Sequence, residues 1–287
     1  MDKLRFLVAT RDDYQRDRIR LDNRALSMPE EFVGDAFFKA LASDVAELER
    51  LMDVEIAKEL EMDPLYTEYL GLQKGVGPMM AGYLTAWLAR EREFKVFGVK
   101  KKVRDGVYMR LRKKKLETWV LPSYATVLEE NLTPKARTEM GPGKPKPMYV
   151  RVHMPAVMEV AQNPSDLHKY CGVSPGSKLK SQETAGFSPK LKTLMWKVFT
   201  QLLMAQGRWA EIYRIEKEDY ARRCPEPDRG TKKLKVHLTS KNIVMRRFLT
   251  NFWLIFRKRK GLPITEPYPG AMLGHAVEGP FTEKEKP

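Results

Sequence analysis

The stretch Leu70-Gly71-Leu72-Gln73-Lys74-Gly75-Val76-Gly77-Pro78 lies between two helical patterns. Before it, Asp63-Pro64 is typical of a helix start, with an N-cap residue followed by proline in the first turn. After it, Pro78 again suits a helix start, and apolar residues recur at helical spacing as far as Glu91. Two short helices joined by a Gly-Val-Gly turn predict a helix-hairpin-helix within residues 63–94.

The residues of this turn are suited to binding phosphate. Glycine permits a positive φ and a close approach of the backbone, while amides at a helix N-terminus donate to an anion. We therefore expect Lys74, Gly75, Val76 and Gly77 to contact a nucleic-acid backbone without reading base edges. The alternative is a structural helix turn that happens to contain two glycines.

The charge balance points to an anionic partner. The chain has 52 Lys and Arg against 37 Asp and Glu, a net charge of +15, which is typical of proteins that bind polyanions. No apolar stretch is long enough to span a membrane, and the N-terminal residues do not resemble a signal peptide. Cys171 and Cys224 provide neither a disulfide framework nor metal-ligand spacing. We expect a cytoplasmic protein with no membrane partner.

Helical periodicity predicts a mainly α-helical chain in five parts. These are charged N-terminal helices (1–62), the helix-hairpin-helix (63–94), a basic insertion (95–163), a helical C-terminal region (164–261) and a proline-rich tail (262–287). The apolar stripe of residues 35–60 is typical of a coiled-coil seam, hence a possible homodimer, and equally of packing onto its own domain. In the C-terminal region, residues 189–205 show the clearest helical stripe, and Ser240 is the predicted cap of the last helix.

The basic insertion is the second candidate contact surface for nucleic acid. Two alternating runs, residues 107–112 and 148–153, predict strands that pair as a short β-hairpin. The dense cations between Lys95 and Lys115 favour a nucleic-acid surface over a merely solvated face, because their mutual repulsion is relieved by an anionic partner. The cations proposed to make this contact are Lys100, Lys101, Lys102, Arg110, Arg112, Lys113, Lys114 and Lys115.

Three motifs in order resemble the C-terminal domain of the transposases of insertion sequences 110, 116 and 902. The first is the helix-hairpin-helix preceded by a charged helix with Arg18, Arg20 and Asn23. The second is the run of residues 167–173, Leu-His-Lys-Tyr-Cys-Gly-Val, followed by a loop rich in Ser, Gly and Lys. The third is residues 187–192, Phe-Ser-Pro-Lys-Leu-Lys, which lead into an apolar helix.

The resemblance implies a function in DNA transposition or recombination. In that family, a domain that resembles a RuvC nuclease is joined by a coiled coil to a helical domain like this one. The members act as multimers on DNA with a structured guide RNA. Four carboxylates of the nuclease part bind divalent metal. This sequence matches none of those carboxylates, so we expect any activity to need a nuclease subunit in trans, with Mg²⁺ bound there and no cofactor in this chain.

The resemblance also implies a serine nucleophile in the Ser/Gly/Lys loop. Ser177 and Ser181 occupy that loop without reproducing the family's Ser-Ser-Gly-Gly pattern, and Lys178 and Lys180 are suited to binding the scissile phosphate. A serine hydroxyl needs a partner base or a metal to attack, so ordinary loop serines beside phosphate-binding lysines are the favoured interpretation. The four histidines show no metal-ligand spacing, and we predict no metal site.

Three functions are therefore compatible with the sequence. The first is a DNA-binding, transposase-like protein that needs a separate nuclease. The second is a non-enzymatic module that binds structured RNA or DNA junctions. The third is a helical dimer that uses the stripe of residues 35–60 and carries its charge incidentally.

Overall fold

The computed structural model describes residues 2–27, 34–112, 115–132, 148–175, 187–223 and 230–265. The helices are α1 Lys3–Ser27, α2 Gly34–Glu61, α3 Pro64–Glu68, α4 Pro78–Leu84, α5 Val157–Val160, α6 Pro164–Tyr170, α7 Pro189–Met204, α8 Arg208–Arg223 and α9 Gly230–Lys260. The strands are β1 Arg92–Phe97, β2 Val99–Arg104, β3 Val107–Arg112, β4 Lys115–Val120, β5 Thr126–Asn131 and β6 Tyr149–Met154. A 3₁₀ turn, Leu70–Leu72, follows α3, and a π-helical turn, Thr85–Ala89, continues α4. The predicted mainly helical fold is confirmed for the described residues.

Helices α1 and α2 pack against each other as an antiparallel hairpin, which we call the helical arm. At its base, Ile56 and Leu60 of α2 are fully buried in the same core as Leu4 and Val8 of α1. This end of the apolar stripe in residues 35–60 therefore packs within its own chain. The homodimer contact through that stripe stays a prediction.

Farther from the base of the helical arm, α1 and α2 are joined by ion pairs. Glu49 of α2 is 6% exposed and accepts a hydrogen bond of 2.7 Å from Arg18 Nε of α1. Arg11 lies 3.6 Å from the same carboxylate and donates to Asp53 at 3.0 Å. The alternating charges of α1 thus hold the two helices of the arm together.

A single apolar core joins the base of the helical arm to α3, α4 and α6–α9. Its largest side chains come from α8 and α9, where Trp209, Phe248, Phe252 and Trp253 are completely buried. The ring of Tyr69 lies 6.1 Å from the rings of both phenylalanines. The predicted hairpin segment and the C-terminal helices therefore fold as one packed unit.

The basic insertion contains two three-stranded antiparallel sheets instead of the single predicted β-hairpin. Residues 107–112 form β3, which pairs with β2 and β4, whereas residues 148–153 fall in the other sheet, of order β1-β6-β5. The two runs were predicted to pair with each other, and this is wrong. The reason is local: a tight turn at Asp105-Gly106, where Gly106 has φ +71°, pairs β3 with the preceding strand.

The two sheets share a small core of Val96, Val99, Tyr108, Val150 and Val152. The chain passes from one sheet to the other between β1 and β2, at Gly98. This residue has φ +79°, and a Cβ there would lie 2.8 Å from the carbonyl oxygen of Leu111. Only glycine fits this crossing without strain.

The last helix begins ten residues before the predicted cap. Ser240 is completely buried inside α9, and its hydroxyl donates to the carbonyl oxygen of Val236 at 2.9 Å. The prediction that Ser240 caps the helix is therefore wrong. A serine hydroxyl can either form such a back-bond within a helix or cap a helix N-terminus, so sequence pattern alone did not distinguish the two.

Candidate nucleic-acid interface

The two glycines of the turn between α3 and α4 have different environments. Gly75 has φ +95°, and a Cβ there would lie 2.7 Å from the carbonyl oxygen of Gln201 and 2.9 Å from Ala205 Cβ, at the end of α7. Gly77 has φ −73° and is the N-cap of α4, with open space where a Cβ would be. The expectation of positive φ therefore holds for Gly75 alone, and the close approach there is made by α7.

The rest of the turn is divided between core and solvent. Val76 is 4% exposed, and its amide donates to the carbonyl oxygen of Gln73 at 2.9 Å. The Gln73 side chain is buried and accepts from the indole of Trp209 at 2.9 Å. Lys74 is exposed. The exposed residues of this turn are therefore Lys74 and Gly77, beside the amides of Met79 and Met80, which follow Pro78 in the first turn of α4 and have no acceptor within the helix.

In the sheet of β2, β3 and β4, some of the predicted contact residues are already neutralised. Lys102 lies 2.9 Å from Asp105 and 3.1 Å from Glu130, and these carboxylates raise its pKa. Arg110 pairs with Glu117 across the β3–β4 ladder at 2.5 Å. These two side chains have less charge to offer a nucleic acid than the sequence indicates.

Other cations of the same sheet are exposed and have no ion pair among the described residues. They are Lys100, Lys101 and Arg104 on β2 and Lys115 on β4. The backbone of Arg112 ends β3, whereas its side chain and the whole of Lys113 and Lys114 lie outside the described residues. The free positive charge of the described part of this sheet is therefore concentrated on β2.

The loop that holds the predicted catalytic residues lies outside the described residues. Ser177, Lys178, Lys180 and Ser181 all fall there, so their roles stay predictions. The chain on either side is described: the Ser188 amide donates to the carbonyl oxygen of Tyr170 at 2.9 Å.

His168 and Cys171 have structural surroundings. His168 Nε2 lies 3.0 Å from the carbonyl oxygen of Arg246, and burial lowers the pKa of this histidine to about 4, with a smaller contribution from the Arg246 charge. Burial also raises the pKa of the Cys171 thiol well above its ordinary value. Among the residues that the structure describes, no three His, Cys, Asp or Glu side chains come together as a metal site.

Charge is distributed unevenly along the sequence. Residues 1–62 have 10 Lys and Arg against 15 Asp and Glu, residues 95–163 have 15 against 6, and residues 164–261 have 22 against 8. The helical arm is therefore acidic overall. The basic insertion and the C-terminal helices together account for the positive charge of the chain, and the larger share belongs to the helices.

The sequence interpretation overlooked a group of residues on these C-terminal helices. Trp196 of α7 is 45% exposed, and Lys241 Nζ of α9 lies 3.6 Å from the centre of its ring. The apolar stripe of α7 was interpreted as core, which the structure confirms, but Trp196 lies off that stripe. The available signal was the pair of i,i+4 spacings, Lys192–Trp196 and His237–Lys241, in segments rich in cations.

Comparisons of the chain with family models, curated proteins and solved structures find no match. No helix in the described ranges is both long enough and apolar enough to cross a membrane.

Proposed function

We propose that this chain binds DNA through the phosphate backbone, as a transposase-like protein that acts in DNA transposition or recombination. The observation that carries the proposal is the group of exposed cations on β2. Lys100, Lys101 and Arg104 lie on a single six-residue strand, and none has an ion pair among the described residues. Concentrated cations without counter-charges are the feature that a polyanion relieves.

The turn between α3 and α4 supports the same function. Lys74 and Gly77 are exposed there, and the open space at Gly77 would let a phosphate approach the amides at the start of α4. A helix-hairpin-helix that grips the backbone in this way needs no base contact, so we expect binding without marked sequence preference.

Strand cleavage would depend on a RuvC-like nuclease domain supplied in trans. Two-metal chemistry activates the attacking group and stabilises the leaving oxygen, and this needs clustered carboxylates that the described residues do not provide. A neighbouring gene for a carboxylate-bearing nuclease domain would support this division of labour. If no such partner exists, a non-enzymatic module that binds structured RNA or DNA junctions explains the chain better than a transposase-like protein does.

Fluorescence anisotropy with labelled duplex DNA and with an RNA hairpin tests the proposal, at about 50 and 200 mM salt. The triple variant Lys100→Ala, Lys101→Ala, Arg104→Ala should weaken binding of duplex DNA. It should also lower the slope of log affinity against log salt by about 2 to 3, since each lost phosphate contact contributes about 0.9.

The matched control removes three arginines of the helical arm, by Arg16→Ala, Arg20→Ala and Arg50→Ala. Each of these arginines pairs with an aspartate or glutamate three residues before it in sequence. The control loses the same charge and should keep both affinity and salt slope. Equal losses in the two triple variants would refute a localised site and leave only a general effect of net charge.

A second pair of variants tests the turn. Gly77→Glu places a carboxylate in the open space before α4 and should weaken duplex binding, whereas Leu26→Glu makes the same charge change at an 83% exposed position of the helical arm. If the two variants bind alike, the turn is only structural. Tighter binding of the RNA hairpin than of the duplex would favour the RNA module.

A further inference from the structure

Helices α7 and α9 bring an exposed tryptophan together with basic side chains. Lys192 and Trp196 lie one turn apart on α7, and His237 and Lys241 lie one turn apart on α9. Lys241 Nζ is 3.6 Å from the centre of the Trp196 ring, and the ring centres of Trp196 and His237 are 6.3 Å apart. We call these four residues the Trp196 site.

The positive charge of Lys241 has no counter-charge among the described residues. Lys241 is only partly exposed, and no described carboxylate forms an ion pair with it. Burial and the nearby Lys192 lower the pKa of Lys241 to about 8. Burial, Lys241 and Lys217 likewise lower the pKa of His237. Holding these basic groups close together and partly buried therefore costs free energy through mutual repulsion and desolvation, and an anion bound among them would reduce that cost.

Aromatic side chains of the core pack against His237 of the Trp196 site. His237 Nδ1 lies 2.7 Å from the hydroxyl of Tyr213, and its ring centre is 6.0 Å from that of Phe199. Phe199 is 2% exposed and belongs to the helical core. The cations and the indole are consequently held on packed helices, which is the arrangement that a preorganised binding site requires.

We propose that the Trp196 site binds an unpaired nucleotide of a nucleic acid, with the base stacked on the exposed part of the indole and the phosphate held by Lys241. An exposed aromatic ring beside cations is how proteins bind single strands without sequence preference. An acidic peptide would use the cations and leave the indole without a role. The inference rests on the proposed function for the class of ligand, nucleic acid, but uses residues outside the β2 strand and the turn.

The test measures anisotropy of a labelled oligo-dT strand and of the labelled duplex with the full chain. Trp196→Ala should weaken oligo-dT binding by roughly tenfold, the order expected for one lost base–aromatic stack. Lys241→Met should also weaken oligo-dT binding, because it removes the phosphate contact. The same variants should leave duplex binding within about twofold of the wild type, because a paired base is not free to stack on the indole.

Two controls match these variants elsewhere on the surface. Tyr124→Ala removes an aromatic side chain that is 45% exposed, and Lys58→Met removes an exposed lysine of the helical arm. Both should bind oligo-dT as the wild type does. Circular dichroism of every variant checks that the helices are retained, and Trp196→Phe, which keeps an aromatic face, should recover most of the binding.

The outcomes separate this inference from the proposed function. The inference alone is overturned if duplex binding depends on the β2 lysines while oligo-dT binding is unaffected by Trp196→Ala and Lys241→Met. Absence of any nucleic-acid binding by the wild type would overturn both. Equal losses of duplex and oligo-dT binding in the two variants would refute a site for unpaired nucleotides. If the chain binds anionic phosphatidylserine vesicles through Lys241 and does not bind oligo-dT, the ligand is a lipid headgroup and the proposal is refuted.

Discussion

Replacing Gly75 by alanine should destabilise the fold, because packing against α7 requires a glycine there. The residue has φ +95°, and an alanine Cβ would lie 2.7 Å from the carbonyl oxygen of Gln201 and 2.9 Å from Ala205 Cβ. A residue with a Cβ in the left-handed region costs about 1–2 kcal/mol, and overpacking costs about 1–3 kcal/mol. We therefore expect Gly75→Ala to lower the free energy of unfolding by about 2–5 kcal/mol.

Gly77→Ala is the matched control two residues later. Gly77 has φ −73°, and no atom lies within 4 Å of the position of its Cβ. Alanine is a poorer N-cap than glycine, so the expected loss is below about 1 kcal/mol. Urea denaturation followed by circular dichroism measures both variants. If Gly75→Ala unfolds within about 0.5 kcal/mol of the wild type, or if the two losses are equal, the packing argument is wrong.

Three further predictions concern charged and titratable groups. Burial lowers the pKa of His168 from 6.5 to about 4, so this histidine stays neutral in the folded chain at pH values where it is protonated in the unfolded chain. The free energy of unfolding should therefore fall by about 3 kcal/mol between pH 6.5 and pH 4. In a pH series of urea denaturations, His168→Gln should lose this dependence; if wild type and variant lose stability in parallel over this range, the prediction is wrong. Lys241, with a pKa of about 8 against 10.5 unfolded, is deprotonated in the folded chain before the unfolded one. The free energy of unfolding of the wild type should therefore rise relative to Lys241→Met by about 1–2 kcal/mol between pH 8 and pH 9.5, and an unchanged difference would show that Lys241 is solvated normally. Glu49→Ala should cost about 1.5–3 kcal/mol, because Arg11 and Arg18 lose their shared buried partner and keep only Asp53 and Asp22. The exposed pair removed by Arg16→Ala should cost less than about 1 kcal/mol.

Regular helical patterns were predictable from the sequence. The apolar stripe predicted over residues 189–205 is α7, Pro189–Met204, and its members Leu194, Val198 and Leu202 are buried. The cap predicted at Asp63 also corresponds to a helix start in the structure. These signals are local, because a 3.6-residue period and a capping side chain both act within one or two turns.

The sheets were only partly predictable. The alternating runs correctly indicated strands at residues 107–112 and 148–153, but their partners were wrong. A strand pattern reports which face is buried and does not identify the neighbouring strand. The pairing of β6 between β1 and β5 joins segments that are distant in sequence, so it depends on how the two sheets close over Tyr108 and Val150.

The candidate contact surfaces for nucleic acid were likewise only partly predictable from the sequence. The sequence alone determined that the chain is mainly helical, strongly basic and built around a turn with two glycines, because composition and short-range period are properties of the chain itself. The tertiary structure decided which cations are free. It pairs Lys102 and Arg110 with carboxylates, leaves Lys100 and Lys101 exposed, and brings Lys241 of α9 onto Trp196 of α7. Whether a charge is available to a ligand depends on which side chains packing places within a few ångströms of it, and residues distant in sequence supply most of those neighbours.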